Sequence, residues 1–127
     1  MAKFASSNML DGGLSYLKNN ATKAILIKDY TVGDSYEDVT GNTVVAVTID
    51  SSDILLTDGA SSSRVATIAE QAGTVTGATG ATPDLHYAFT NGSNEVIYVT
   101  NETTDREFLV DDTATMPAIT VTVGQPA

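Results

Sequence analysis

His86 is the one histidine of the chain, and it lies in the stretch PDLHYAFT beside Tyr87, two residues after Asp84. A general base needs a nucleophile or an orienting carboxylate within hydrogen-bond reach. Nothing in the sequence fixes such a partner, so His86 reads as part of a solvated strand face. Carboxylates recur in turns: Asp34, Glu37 and Asp38, then Asp50 and Asp53, then Asp111 and Asp112. Calcium takes six to eight oxygens, and its loop signature D-x-[DN]-x-[DN]-G is missing, so these acids read as makers of Asx-type turns. GTVTGATG has the glycine spacing of a phosphate cradle, but it lacks the lysine and the following helix. Cysteine is absent altogether, which removes thiolate nucleophiles, disulfides and cysteine-based metal sites together. Three Asn-x-Ser/Thr triplets, at Asn20, Asn91 and Asn101, read as chance matches in a chain rich in these residues. No catalytic, cofactor-binding or metal-binding residue is assigned, and a non-enzymatic protein is expected.

The elements that hold these residues follow from periodicity. Asn8 with Asp11 resembles a helix cap, and Leu10, Leu14 and Leu17 fall on one helical stripe, which predicts a helix from Met9 to Asn19. Gly12 and Gly13 cost this helix about 1 kcal/mol each relative to alanine. Their reading here is close backbone approach to another element, with Asn19 and Asn20 closing the helix through the left-handed conformation asparagine tolerates. From Lys23 the period becomes 2. KAILIK is apolar on both faces, as expected of a central strand covered from both sides, and the helix is the candidate cover for one of them. Residues 30–42 read as loop or irregular edge. TVVAVTID, DILLTDG and SRVATIA read as strands, residues 72–83 as a loosely ordered segment, and LHYAFT-NGSN-EVIYVT as a hairpin. REFLV and AITVTV add two strands separated by the acidic turn DDTATMP. The fold class is therefore mainly β: a β-sandwich or jelly-roll-like barrel of about eight short strands with a short N-terminal α-helix. Residues 1–22 form an arm and helix, and 23–127 a single β-sandwich domain.

At 127 residues one self-sufficient domain is expected. No apolar run approaches a membrane span, and no secretory core follows Lys3. The net charge of −10 is unevenly placed: residues 1–28 carry +3 and residues 29–127 carry −13. Such a body is a poor ligand for nucleic acid or an anionic membrane, whose binding draws on clustered Lys and Arg. The basic N-terminal segment is expected to flank an apolar helix and strand, or to dock on an acidic surface of this chain or of a neighbour.

The order MAKFASSNMLDGGLSYLKNNATKAILI, ILLTDGASSSRVATIA, LHYAFTNGSNEVIYVT and AITVTVGQPA spans nearly the whole chain. It resembles the small decoration or cement proteins of tailed-bacteriophage capsids, in which a short N-terminal segment precedes a compact β-sandwich. The resemblance implies a structural protein on the capsid exterior of a virion assembled in the host cytoplasm. It further implies a homo-oligomer, dimer or trimer, bound to the major capsid protein so as to bridge capsomers. Partner contacts are then expected at Lys3, Phe4, Met9, Leu10 and Leu14, with covering the sandwich core as the equal alternative for Phe4 and Met9. Phage tail, neck and head-fibre proteins are built from similar material. A carbohydrate- or receptor-binding domain using Tyr87 and Tyr98 as a platform is the competing class, disfavoured by 6% aromatic content and no tryptophan.

Overall fold

The computed structural model describes residues 5–102 and 104–125. Chain order is α1 (Ser7–Asn20), β1 (Lys23–Ile27), α2 (Tyr36–Gly41), β2 (Thr43–Thr48), β3 (Ile54–Asp58), β4 (Arg64–Ile68), β5 (Gln71–Thr74), β6 (His86–Thr90), β7 (Val96–Asn101), β8 (Thr113–Met116) and β9 (Ile119–Val123). The strands form three antiparallel sheets ordered β2-β1-β6-β7, β3-β4-β9 and β5-β8. These close on one apolar core as a small, mainly β, sandwich-like fold. The four-stranded sheet contributes Leu26, Val45, Tyr87 and Phe89, the three-stranded sheet Ile54 and Ile68, β8 Ala114 and Met116, and α1 Leu14 and Leu17.

β1 is central, with β2 and β6 on either side and its last four residues buried. Ala24 and Leu26 face the main core. Ile25 and Ile27 face a second cluster with Val39 and Ala88. The cover on that second face is α2, which replaces part of the loop expected at 30–42. A capping box starts it: Ser35 Oγ accepts from Asp38 N–H, and Asp38 Oδ2 accepts from Ser35 N–H, both at 3.1 Å. Val39, the one buried residue of α2, caps the isoleucines of β1.

α1 begins earlier than the apolar stripe implied. Its N-cap is Ser6, whose Oγ accepts from Met9 N–H at 3.3 Å, so Asn8 lies inside the helix. It ends without a left-handed residue: Ala21 is extended and bonds back to Leu17, while the Asn20 side chain donates to Tyr16 O at 2.9 Å. A Cβ at Gly12 or Gly13 would meet nothing within 4 Å, so no neighbouring backbone requires either glycine.

The segment expected to be loose is instead packed. β5 pairs with β8, Val75 is buried, and Val44 O accepts from Thr76 N–H at 2.8 Å and from Gly77 N–H at 3.2 Å. Here glycine is needed for close approach. A Cβ on Gly77 would run into the Thr43 carbonyl oxygen, and one on Gly73 would lie 2.7 Å from Val45 Cγ2. The stretch read as the turn DDTATMP contains β8, whereas REFLV is not a strand. Phe108 alone turns inward there, its backbone bonded to Thr79 on both sides, and the chain then reverses at Asp111 with φ 78°.

Candidate interaction surface

α1 has two unlike faces. Leu10, Leu14 and Leu17 are buried, and the helix lies on β3, β4 and β9. Leu10 and Leu14, expected at a partner contact, are buried in the folded chain, where both side chains serve the core. Met9 is 74% exposed and shares the opposite stripe with Gly12, Gly13 and Tyr16. Lys3 and Phe4 lie outside the described residues. The helix is fixed to the sheet by Arg64, whose Nε donates to Asp11 Oδ1 at 2.8 Å while Nη1 donates to Asp58 Oδ1 at 2.7 Å. The hydrogen bonds to Asp11 and then Asp58 hold the guanidinium above its ordinary pKa. Two lysines of the N-terminal segment also bond to the chain itself. Lys18 Nζ donates to Ser51 O at 2.6 Å, and Lys23 Nζ donates to Thr48 Oγ1 at 2.7 Å.

The acidic turns are occupied with backbone donors. Asp34 Oδ2 accepts from Thr31 N–H and Asp112 Oδ2 from Leu109 N–H. Asp50 and Asp53 form a reciprocal capping box around a single 3-10 turn, and the hydrogen bond from Ser52 holds the Asp50 carboxyl below the usual carboxylate range. Among the described residues no group of three or more potential metal ligands converges. His86 is half-buried. Its Nδ1 lies 3.0 Å from Asp84 O and 3.9 Å from Asp84 Oδ1, and its ring sits 5.5 Å from that of Tyr30. Tyr30, Val32 and His86, with Val99 and Asn101 of β7, line an open cavity of about 490 Å³.

The tyrosines expected to form a sugar platform do not present one. Tyr87 is buried and donates to Glu102, and Tyr98 stacks on Phe89 at 6.2 Å. Burial, followed by the Glu102 hydrogen bond and charge, pushes the Tyr87 phenol above its ordinary pKa.

The outer face of the three-stranded sheet is a surface that the sequence reading did not single out. Leu55, Thr67 and Thr120 form one rung across it, and Thr57, Val65 and Thr122 the next. Leu55 is 63% exposed, and these six side chains include no charge in a chain of net charge −10. The alternation in LLT, VAT and TVT carried that signal. Two rungs over three strands cover roughly 200 Å², taking about 4.8 Å between strands and 6.7 Å between rungs.

No family model, curated protein or solved structure matches this chain.

Proposed function

We propose that the chain is a non-enzymatic structural protein of a phage virion that binds the outside of the capsid and cements neighbouring capsomers as a dimer or trimer. The observation that supports this best is the charge-free outer face of β3, β4 and β9 on a strongly acidic body. Charge of one sign keeps copies soluble and apart. An uncharged face is where such a body can approach another protein surface without desolvating an ion. The patch is about a quarter of the roughly 800 Å² per partner in a standard interface, so one contact alone is weak. A lattice presenting the same site many times, engaged by an oligomer, converts weak contacts into tight attachment. Met9, exposed beside the N-terminal segment, gives a second point of attachment away from that sheet face.

The test is sedimentation of expanded, undecorated tailed-phage shells with the purified protein, alongside its solution mass by light scattering. Saturable binding at a stoichiometry set by shell symmetry, weakened at least tenfold by Thr67→Lys together with Leu55→Lys, is the expected result. Absence of binding across a panel of shells, or binding unaffected by the charged pair, refutes the reading. Assembly of the free protein into tubes or large rings moves it to the tail.

A further inference from the structure

We infer that Asn91-Gly92 is a self-modifying turn: the folded chain converts the Asn91 side-chain amide to a carboxylate, consuming water and releasing ammonia, and holds the aspartyl product in place. This goes beyond the capsid reading and does not depend on it.

Asn91 is the one asparagine of the chain that is followed by glycine. Deamidation begins when the backbone nitrogen of the next residue attacks the side-chain Cγ, and glycine puts no Cβ beside that path. The pair opens the connection between β6 and β7, which is closed by Asn91 N–H donating to Glu95 O at 3.1 Å. Gly92 takes φ 78°, and residues 92–94 are exposed, so water reaches the turn.

The turn supplies what each reacting group needs. Asn91 Oδ1 accepts from the backbone N–H of Ser93 and of Asn94 at 2.9 Å and of Glu95 at 3.0 Å. Three donors on one atom identify it as the oxygen of the amide. Donors at roughly 2.7–3.1 Å from an oxygen that gains charge stabilise a tetrahedral intermediate, and here they converge on the carbonyl under attack. The attacking group is oriented as well: Gly92 N–H donates to Thr90 Oγ1 at 3.2 Å, which draws the proton away from the nitrogen. Nδ2, the leaving group, is held by donating to Asn94 Oδ1 at 2.9 Å.

Gly92 N forms a bond to Cγ, its proton passes to solvent, and the carbonyl electron pair moves onto Oδ1 between the three donors. Collapse of that oxyanion breaks the bond from Cγ to Nδ2, which takes up a proton and departs as ammonia, leaving a cyclic imide. Water then adds to Cγ, the bond to Gly92 N breaks and that nitrogen regains its proton. The sum is amide and water in, carboxylate and ammonium out, with no change of oxidation state.

The fold also chooses between the two ways the imide can open. Opening at the main-chain carbonyl runs the backbone through Cβ and Cγ and lengthens it by one atom. The turn has no room for that atom, since even a Cβ on Gly92 would lie 2.8 Å from Thr22 Oγ1. Its far end is tied to α1, where Glu95 Oε1 accepts from the Tyr16 hydroxyl at 2.6 Å. Opening at Cγ keeps the backbone and leaves a carboxylate oxygen where three N–H groups already point, which makes those bonds charge-assisted.

The test is incubation of the full chain in mildly alkaline buffer, with peptide mapping by mass spectrometry and a fragmentation method that separates aspartyl from isoaspartyl products. The same chain in urea is the comparison. Asn91 is expected to lose its amide before every other asparagine and at least as fast as in urea, giving mainly the aspartyl product, whereas the unfolded chain gives mainly the isoaspartyl one. Asn91→Gln moves the carbonyl away from Gly92 N and should lower conversion at this position at least tenfold. Thr90→Val removes the acceptor for Gly92 N–H and should slow the reaction at least threefold. If that buried substitution unfolds the chain, Asn91→Asp in the turn should leave the fold unchanged and slow amide exchange at Ser93 and Glu95. Slower loss of the amide in the folded chain than in urea, an isoaspartyl excess in the folded chain, or faster exchange at Ser93 and Glu95 in Asn91→Asp overturns the proposal.

Discussion

Glycine-to-alanine substitutions should shift stability in opposite directions at two places in this chain. At Gly12 and Gly13 the helical backbone is exposed and an added methyl meets nothing within 4 Å. Alanine should stabilise each position by about 0.8–1 kcal/mol through the helix term alone. For 127 residues, an unfolding entropy of about 2.1 cal/mol/K per residue makes each kcal/mol worth roughly 4 °C. The Gly12→Ala, Gly13→Ala double variant should therefore melt about 7 °C higher. At Gly77 the methyl is directed at the Thr43 carbonyl oxygen, and Val44 next to it accepts two backbone bonds from 76 and 77. The β2 backbone cannot yield without losing those bonds, so Gly77→Ala should cost about 1–3 kcal/mol, a fall of roughly 4–11 °C. Thermal unfolding followed by far-ultraviolet circular dichroism, at one fixed protein concentration, reads both. A lower melting point for the helix double variant would refute the reasoning. It would mean that the stripe of Met9, Gly12, Gly13 and Tyr16 is covered in solution. An unchanged Gly77→Ala would show that the β2 crossing is looser than described.

Three further outcomes are expected. Val39→Ala removes the single buried contact of α2 and should destabilise by about 2 kcal/mol, with faster amide exchange at residues 36–41; a change within a few tenths would show that α2 does not cover β1. Tyr87 has its phenol pKa raised by burial and by Glu102, so the unfolded chain ionises first as pH climbs through about 10. Its contribution to stability is complete below that pH and declines above it toward the folded value. Absorbance titration of the five tyrosines should show a late step that Tyr87→Phe removes, and simultaneous ionisation of all five would contradict the burial argument. Asp11→Asn should speed exchange of α1 amides while β1 and β6 stay protected, because the Arg64 pair fastens the helix to the sheet; unchanged exchange in α1 would mean that Leu10, Leu14 and Leu17 hold it alone.

Legibility in the sequence follows how local each signal is. KAILIK declared a doubly covered strand because five residues carry the whole pattern, and β1 is buried on both faces. α2 was harder to see. Six residues with one apolar member make no period, although the Ser35 to Asp38 spacing of a capping box was present. Gly12, Gly13, Gly73 and Gly77 look alike in one dimension, and only the path of β2 separates the two that are required from the two that are not. REFLV has strand composition but joins no ladder, because Phe108 pairs with the isolated Thr79 and the chain turns at Asp111. TATM carries the period-2 alternation, with Ala114 and Met116 buried, but four residues beside two aspartates also read as a turn, and β5 is the partner that makes it β8. The candidate surfaces depend on register across strands far apart in the chain. The rung Leu55, Thr67 and Thr120 is one example, and it could not be assembled from any single window.

The seat of α1 on β3, β4 and β9 also sets a timetable for synthesis. The helix is synthesised before the strands it lies on, and the last of them, β9, ends about 100 residues later. At roughly 5–20 residues per second, the Leu10, Leu14 and Leu17 stripe waits on the order of 5–20 s for its complete seat. Through that interval the nascent segment is a marginal helix with an uncovered apolar side, open to trigger-type chaperones and to neighbouring chains on the same message. Docking of the helix is thereby tied to the synthesis of β9, and the slowest vulnerability of this segment falls while its seat is incomplete.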